Sequence, residues 1–202
     1  WPDIVTSNYY GESISVLLNV TEPGSAVPAF SEKTDLPVGT APIELSLPDI
    51  NGDGKADIAT ANINTNKITV YINKTDSGAA VPSFGEKTEF NTGTNPTSLS
   101  SADINGDKKP DLLTSNFSSQ SVTVLINTTA AGSDVPAFAE KKDFNTSGNP
   151  HAISTGDLNK DGKPDIALAN YYLNSVSVFI NKTAAGDSTV SLASEVSFAS
   201  GR

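Results

Sequence analysis

The sequence predicts an all-β chain assembled from propeller blades, each of four antiparallel strands, with three blades complete and one incomplete. Three observations carry this. A nine-residue Asp-rich stretch opens at Asp49, again at Asp103 and again at Asp157, at a constant spacing of 54 residues. A fixed period of this size is the mark of a repeat architecture. Between these stretches lie segments of period two, and no window of about 11 residues shows a helical period.

The chain enters this repeat near its start. Pro2-Asp3-Ile4-Val5-Thr6-Ser7-Asn8-Tyr9-Tyr10 matches Pro164-Asp165-Ile166-Ala167-Leu168-Ala169-Asn170-Tyr171-Tyr172. Asp3 is thus the last trace of a fourth Asp-rich stretch. Ile14-Ser15-Val16-Leu17-Leu18-Asn19 follows, with counterparts at Ile68–Asn73, Val122–Asn127 and Val176–Asn181. Its first, third and fifth residues are always aliphatic, which reads as a strand. Leu17, Tyr71, Leu125 and Phe179 occupy the opposite face, so both faces are expected to be covered, as in a sheet stacked between two others.

Val27-Pro28-Ala29-Phe30, Val81-Pro82-Ser83-Phe84 and Val135-Pro136-Ala137-Phe138 come next, each followed by a charged segment reaching Leu36, Phe90 or Phe144. Pro and charge suit an outer edge strand. The fourth copy, Thr189-Val190-Ser191-Leu192 through Phe198, is degenerate. Turns at Gly39-Thr40-Ala41-Pro42, Gly93-Thr94-Asn95-Pro96 and Ser147-Gly148-Asn149-Pro150 then deliver an inner strand ending in the next Asp-rich stretch. Ser98, Ser100, Ser101, Ser154 and Gly156 suggest that this strand sits in a crowded place beside a central axis. Four strands per period is the content of a propeller blade. The units run approximately over residues 1–36 (incomplete), 43–90, 97–144 and 151–199, as one domain. Because the first unit lacks its inner strand, the chain is expected to be a piece of a longer protein, or to be completed by another chain.

The Asp-rich stretch carries metal chemistry. Ca²⁺ takes six to eight hard oxygen ligands in flexible geometry. Positions 1, 3, 5 and 9, with the carbonyl of position 7, offer such oxygens from one tight turn. They are Asp49, Asn51, Asp53, Lys55 and Asp57 in the first loop, and Asp103, Asn105, Asp107, Lys109 and Asp111 in the second. In the third they are Asp157, Asn159, Asp161, Lys163 and Asp165. Gly54 and Gly162 permit a sharp turn at position 6, where the second loop has Lys108; backbone strain is expected there. Thr60, Thr114 and Leu168 stand where an EF-hand would have its bidentate Glu, and the flanks are strands. About three Ca²⁺ sites are expected.

These loops resemble the FG-GAP or VCBS repeats of integrin-alpha-type β-propellers: an inner strand, Asp-x-Asn-x-Asp-Gly-x-x-Asp, then a Pro-Asp-Ile-Ala-like strand. The resemblance covers nearly the whole chain. It implies a calcium-binding face and a propeller usually closed by seven blades. The chain departs in blade count, in Lys108 and in the lost loop before Asp3.

Composition narrows the function. The 202 residues carry a formal charge of −10, which repels nucleic-acid phosphates and anionic membrane surfaces; no nucleic acid and no membrane insertion are expected. There is no cysteine, and no apolar run reaches the roughly 20 residues of a membrane-spanning helix. A catalytic carboxylate pair should occur once, whereas these Asp residues recur three times, so no enzyme activity is expected of them. No Cys nucleophile or Ser-His arrangement is readable. At the opposite end of the strands from the Asp loops lie Tyr9, Tyr10, Phe117, Tyr171 and Tyr172, with the single His151 at the head of an inner strand. Exposed aromatics among amides can stack on sugars or on a protein; blade-to-blade packing is the simpler and favoured explanation. Asn-x-Ser/Thr sequons at Asn19, Asn73, Asn127 and Asn181 share one repeat position, with others at Asn116 and Asn145. The reading is an extracellular or cell-surface binding or adhesion module for a protein or carbohydrate. A non-catalytic module of a secreted polysaccharide-acting enzyme, or a subunit that self-associates through open blade edges, are the alternatives.

Overall fold

The computed structural model describes residues 2–201. The described residues form fifteen strands and no helix. In chain order these are β1 (Ile4–Asn8), β2 (Ser13–Leu17), β3 (Thr34–Pro37), β4 (Pro42–Ser46), β5 (Ile58–Asn62), β6 (Lys67–Tyr71), β7 (Thr88–Asn91) and β8 (Pro96–Ala102). They continue with β9 (Asp111–Asn116), β10 (Ser121–Leu125), β11 (Lys142–Asn145), β12 (Pro150–Gly156), β13 (Asp165–Asn170), β14 (Ser175–Phe179) and β15 (Val196–Ala199). Each sheet is an antiparallel meander of consecutive strands: β1-β2-β3, β4-β5-β6-β7, β8-β9-β10-β11 and β12-β13-β14-β15. These are three complete four-stranded blades and one that lacks its inner strand.

The two-faced strand pattern is used for stacking blade on blade. Ile68, Val70 and Ile72 on one face of the second blade pack with Leu99, Leu112 and Leu125 on the facing side of the third. The next interface repeats this, with Val122, Val124 and Ile126 against Ile166, Leu168 and Phe179. Between the first two blades Ile14 and Val16 meet Ile58 and Tyr71. Each buried aliphatic or aromatic side chain contributes about 1.5–3 kcal/mol, more than the roughly 0.5–1.5 kcal/mol of one hydrogen bond. Packing therefore supplies the stability, and hydrogen bonds fix the register. The stack leaves apolar faces open at both ends: Ile4 on the first blade, and Leu158, Val196 and Phe198 on the last, are exposed.

Small hydroxyl residues do line the inner edge. Ser46 Oγ lies 2.9 Å from Ser101 Oγ and Ser100 Oγ lies 3.2 Å from Thr155 Oγ1, each joining neighbouring inner strands. Every complete inner strand begins with Pro and then slips register, between Pro42 and Glu44, Pro96 and Ser98, Pro150 and Ala152. Pro has no N–H to give the ladder, so it is tolerated at a strand's first residue or at a bulge. The residue left unpaired is Ile43, Thr97 or His151.

The outer strand is shorter than the sequence suggests. Only its last four residues pair with the third strand, and the Val-Pro-x-Phe segments lie in the preceding loop. There Phe30, Phe84 and Phe138 make single bridges to Asn19, Asn73 and Asn127, and Leu192 does the same to Asn181. Pro at the second position of the segment removes the donor that a longer ladder would need.

An asparagine ends every second strand and knits the blade internally. Asn116 Nδ2 donates to Thr123 Oγ1 at 2.9 Å and to Ser121 Oγ at 3.2 Å, and its Oδ1 accepts from Thr114 Oγ1 at 2.9 Å. Asn8, Asn62 and Asn170 donate in the same way to the hydroxyls of Ser15, Thr69 and Ser177. Thr60 instead turns its hydroxyl to the Glu44 carbonyl, and Leu168 has none, so Asn62 Oδ1 and Asn170 Oδ1 lack a donor among the described residues.

Gly93 packs directly on this asparagine: a Cβ there would lie 2.6 Å from Ser119 Oγ and 2.7 Å from Asn116 Nδ2. Gly93→Ala is expected to cost about 1–3 kcal/mol through overpacking. Gly156→Ala, with nothing within 4 Å, should stay within about 0.5 kcal/mol of the parent. Urea denaturation of the two variants checks the contrast.

Candidate functional site

The three Asp-rich loops join inner to second strands, all at the same end of the strands. Their acidic side chains are organised by the loop's own backbone. Asp53 N–H donates to Asp49 Oδ1 and to Asn51 Oδ1, both at 3.1 Å, and Gly54 N–H to Asp49 Oδ2 at 2.9 Å. Lys55 N–H donates to Asp53 Oδ1 at 2.9 Å. The second and third loops repeat the pattern around Asp103, Asn105 and Asp107, and around Asp157, Asn159 and Asp161. In the third loop the Asn159 amide holds the Asp161 carboxyl below the usual carboxylate range.

The ninth residue differs from the others. Asp57, Asp111 and Asp165 are fully buried. Each accepts two backbone N–H groups, one from its own loop and one from the end of the third strand: for Asp57, Ile50 N and Asn73 N, both at 2.7 Å. Burial nevertheless pushes the Asp57 carboxyl up and that of Asp111 up to about 6, because two neutral donors do not replace the lost hydration of a charge.

Among the described residues no three His, Cys, Asp or Glu side chains converge into a metal-holding group. The sequence-derived set is broader, since it counts the Asn amide and the carbonyl of position 7. These donors are all hard oxygens, and a buried carboxylate short of counter-charge sits at their base. This chemistry fits a divalent hard cation. The residues that would hold it are Asp49, Asn51, Asp53, Asp57 and the Lys55 carbonyl, with their counterparts in the other two loops.

The first two loops are also sewn to the following blade. Asn127 Nδ2 donates to the Ile50 carbonyl at 2.9 Å, Gly132 N–H to the Asn51 carbonyl at 2.8 Å, and Asn51 Nδ2 to the Ser133 carbonyl at 3.1 Å. The next junction uses Asn181 on Ile104 at 2.8 Å, Gly186 on Asn105 at 2.7 Å, and Asn105 on Asp187 at 3.1 Å. Sequence reasoning missed this role. The signal was there as the repeated Asn-x-Thr, whose Thr closes the same loop: Thr129 Oγ1 exchanges hydrogen bonds with Ala137. Asn127, Asn181 and Asn116 are buried, so those three sequons serve the fold; Asn145 is exposed.

Both position 4 and position 6 of the loop are left-handed. Gly52 and Gly54 meet this in the first loop, with φ of 71° and 85°. Lys108 adopts φ 70° at position 6 of the second, as the sequence suggests. Lys160, at position 4 of the third, adopts φ 63°, which the sequence reading passed over.

At the other end of the strands the six candidate binding residues separate into two groups. Phe117, His151, Tyr171 and Tyr172 gather on the third and fourth blades, with ring centroids 5.1–6.1 Å apart. Tyr9 and Tyr10 form a separate pair on the first blade, centroids 5.0 Å apart. Tyr10, Tyr171 and Tyr172 are 96%, 63% and 66% exposed, while Phe117 of the third blade packs on His151, Tyr171 and Tyr172 of the fourth across the blade junction. The register slip at the head of β12 sets His151 among them. Asn95, Thr97, Phe117, His151 and Tyr171 line a cleft of about 250 Å³.

Comparison with known families finds two matches. The family model for the FG-GAP-like repeat matches residues 49–114, and that for the FG-GAP repeat matches residues 149–191. Together they span more than half of the chain. No curated protein matches the sequence.

A non-Gly residue held in the left-handed region costs roughly 1–2 kcal/mol, partly offset by the extra unfolded-state freedom of Gly. Lys108→Gly and Lys160→Gly should therefore each stabilise the metal-free chain by about 0.5–1 kcal/mol, whereas Gly54→Lys should destabilise it. Denaturation in chelator measures all three.

Proposed function

Because the chain belongs to the FG-GAP repeat family, we propose that it is a calcium-binding propeller module, extracellular or at a cell surface, that binds or adheres through the face opposite its Asp loops. FG-GAP repeats make propeller-type modules often used in binding or adhesion, which supports the reading. The observation that carries it is the division between the two ends. The loop end concentrates ordered carboxylates with an incompletely compensated buried Asp. The other end exposes Phe117, His151, Tyr171 and Tyr172 beside a cleft.

Bound Ca²⁺ supplies positive charge to the clustered carboxylates. The chain's own residues do the remainder. The ninth-position Asp joins the loop to the third strand, and Asn51 and Asn105 join it to the next blade. A cation that favours this loop conformation would thereby stiffen the junction between blades, since binding free energy adds to folding free energy. The chain has no assigned catalytic role in this reading: the acidic residues recur with the repeat and are committed to loop structure.

The open apolar faces around Ile4 and around Leu158 and Phe198 support self-association as a second reading. Sedimentation of the calcium-loaded chain tests it. An assembly that dissociates on Phe198→Asp is expected, and a monomer at high concentration overturns it.

The main proposal predicts a higher melting temperature in Ca²⁺ than in chelator, since a ligand at 100 times its Kd adds about 2.7 kcal/mol per site. Asp53→Ala, Asp107→Ala and Asp161→Ala should each remove part of the shift. An unchanged midpoint would sink the calcium assignment. For the binding face, labelled chain should adsorb to intact cells or extracellular matrix, and the Tyr171→Ala/Tyr172→Ala double variant should adsorb less. Equal adsorption would move the binding site elsewhere.

A further inference from the structure

We propose that the cleft beside Tyr171 is a recognition site for an uncharged saccharide, taking one sugar ring against the aromatic cluster. This rests on the binding-face reading above and names its ligand.

The strand ends opposite the Asp loops are joined by seven turns, residues 9–12, 38–41, 63–66, 92–95, 117–120, 146–149 and 171–174. In a chain with 23 acidic and 13 basic residues, these turns hold a single charged residue, Glu12. Glu195 reaches the same end, but its carboxylate is taken up by Ser147 N–H and Ser147 Oγ, both at 2.8 Å, and by the Ser177 hydroxyl. Nothing in the turns answers a phosphate, a sulfate, a uronate or a charged peptide. Tyr, Phe, Asn, Ser, Thr and Gly make up most of the rest, the mixture that supplies flat apolar area together with neutral donors and acceptors.

The polar groups at the cleft are uncommitted while their backbone is fixed. Asn95 sits at φ 62°. Its N–H donates to Asn66 Oδ1 at 2.7 Å and its carbonyl accepts from Phe117 N–H at 2.9 Å. Its side-chain amide has no hydrogen-bond partner among the described residues, and neither has the His151 ring or the Tyr171 or Tyr172 hydroxyl. An amide, an imidazole and two phenols stand ready around ring faces, held by a preorganised turn. A sugar ring is the complementary object: its C–H face stacks on an aromatic ring, and its hydroxyls both donate and accept.

The cleft of about 250 Å³ falls below the roughly 300–1,000 Å³ of sites that take drug-sized ligands. It suits one ring of an oligosaccharide. A stable protein partner needs about 800 Å² on each side, so a cleft of this size would not by itself hold one.

The test is affinity electrophoresis of the calcium-loaded chain in gels containing neutral soluble polysaccharides (a mixed-linkage β-glucan, a galactomannan, a xyloglucan). Parallel gels contain heparin and polygalacturonate. At least one neutral polysaccharide should retard the chain, with a Kd that changes less than about twofold between roughly 50 and 500 mM NaCl because no ion pairs are involved. Tyr171→Ala should weaken retardation by about tenfold, the equivalent of about 1.4 kcal/mol of lost stacking and hydrogen bonding. Tyr171→Phe should keep most of it, and Asn95→Ala should weaken it without lowering the melting temperature. Retardation by the polyanions alone, or equal retardation of Tyr171→Ala and the parent, would overturn the proposal. So would no retardation by any neutral polysaccharide. In that last case, adsorption to cells that still falls in the Tyr171→Ala/Tyr172→Ala variant means the face is right and the ligand class wrong. Loss of both signals removes the binding-face reading as well.

Discussion

The contact on which each blade is hung is a buried carboxylate. Asp57, Asp111 and Asp165 each hold two backbone N–H groups, one seven residues back in the loop and one sixteen residues ahead at the end of the third strand. That single side chain sets where the inner strand stops, how the loop curls and where the third strand must end. At Asp57 and Asp111 burial pushes the carboxyl up, for Asp111 to about 6, because two neutral donors do not replace the lost hydration of a charge. A group so placed is a liability in an apolar blade unless something positive can approach it. The loop around it brings several more oxygens together. Structure and proposed metal chemistry thus share one residue: the Asp that fixes the turn is also the one proposed to meet the cation.

From this contact the organisation spreads outward. The loop that the carboxylate shapes presents the Ile50 and Asn51 carbonyls to the next blade, where Asn127 and Gly132 receive them. Apolar stacking between blades is strong but non-directional. The hydrogen-bonded seam at its edge decides the relative height of neighbouring sheets, and so the alignment of the turns at the far end. The aromatic cleft draws on two blades, with Phe117 and Asn95 from the third unit's side and His151 and Tyr171 from the fourth. Its shape therefore depends on a seam at the opposite end of the strands. Charge is segregated along the same axis, with acidic loops at one end and nearly uncharged turns at the other.

Much of this was legible in the sequence, for identifiable reasons. Alternation in Ile68–Asn73 and its copies encodes strands buried on both faces, and the constant period encodes identical units, so the blades, their strand order and the missing inner strand could be read directly. Small residues such as Ser98 and Ser101 announced the crowded inner edge. What escaped was long-range or conformational. Asn127 reads as a glycosylation sequon because its partner, Ile50, lies 77 residues away in another blade. The Val-Pro-x-Phe segment reads as strand because Phe and Val favour sheets, yet Pro leaves it one bridge instead of a ladder. Lys160 gives no local sign of φ 63°, since Lys is not a residue that advertises a left-handed turn. The register slip that places His151 is written in Pro150, but the direction of the displaced side chain is a property of the sheet. Loop residues such as Asp49 and Asp53 were recognisable as oxygen donors; their hydrogen bonds to Asp53 N–H and Lys55 N–H were not.

The seam has a consequence for how such a chain can change length. Each complete unit carries both halves of the joint, the carbonyl-presenting loop on one side and the Asn and Gly that receive it on the other. The joint is between neighbours only, as in other linear arrays. A duplicated unit would arrive already equipped to clasp the copy before it and the copy after it, without any new contact having to be invented. Loss of a unit would rejoin the same two halves. Growth and shrinkage by whole units are then nearly neutral events for packing, while the exposed turns of each copy are free to diverge. The aromatic residues of the fourth unit, beside the plain Ile63-Asn64-Thr65-Asn66 turn of the second, are what such divergence would leave behind.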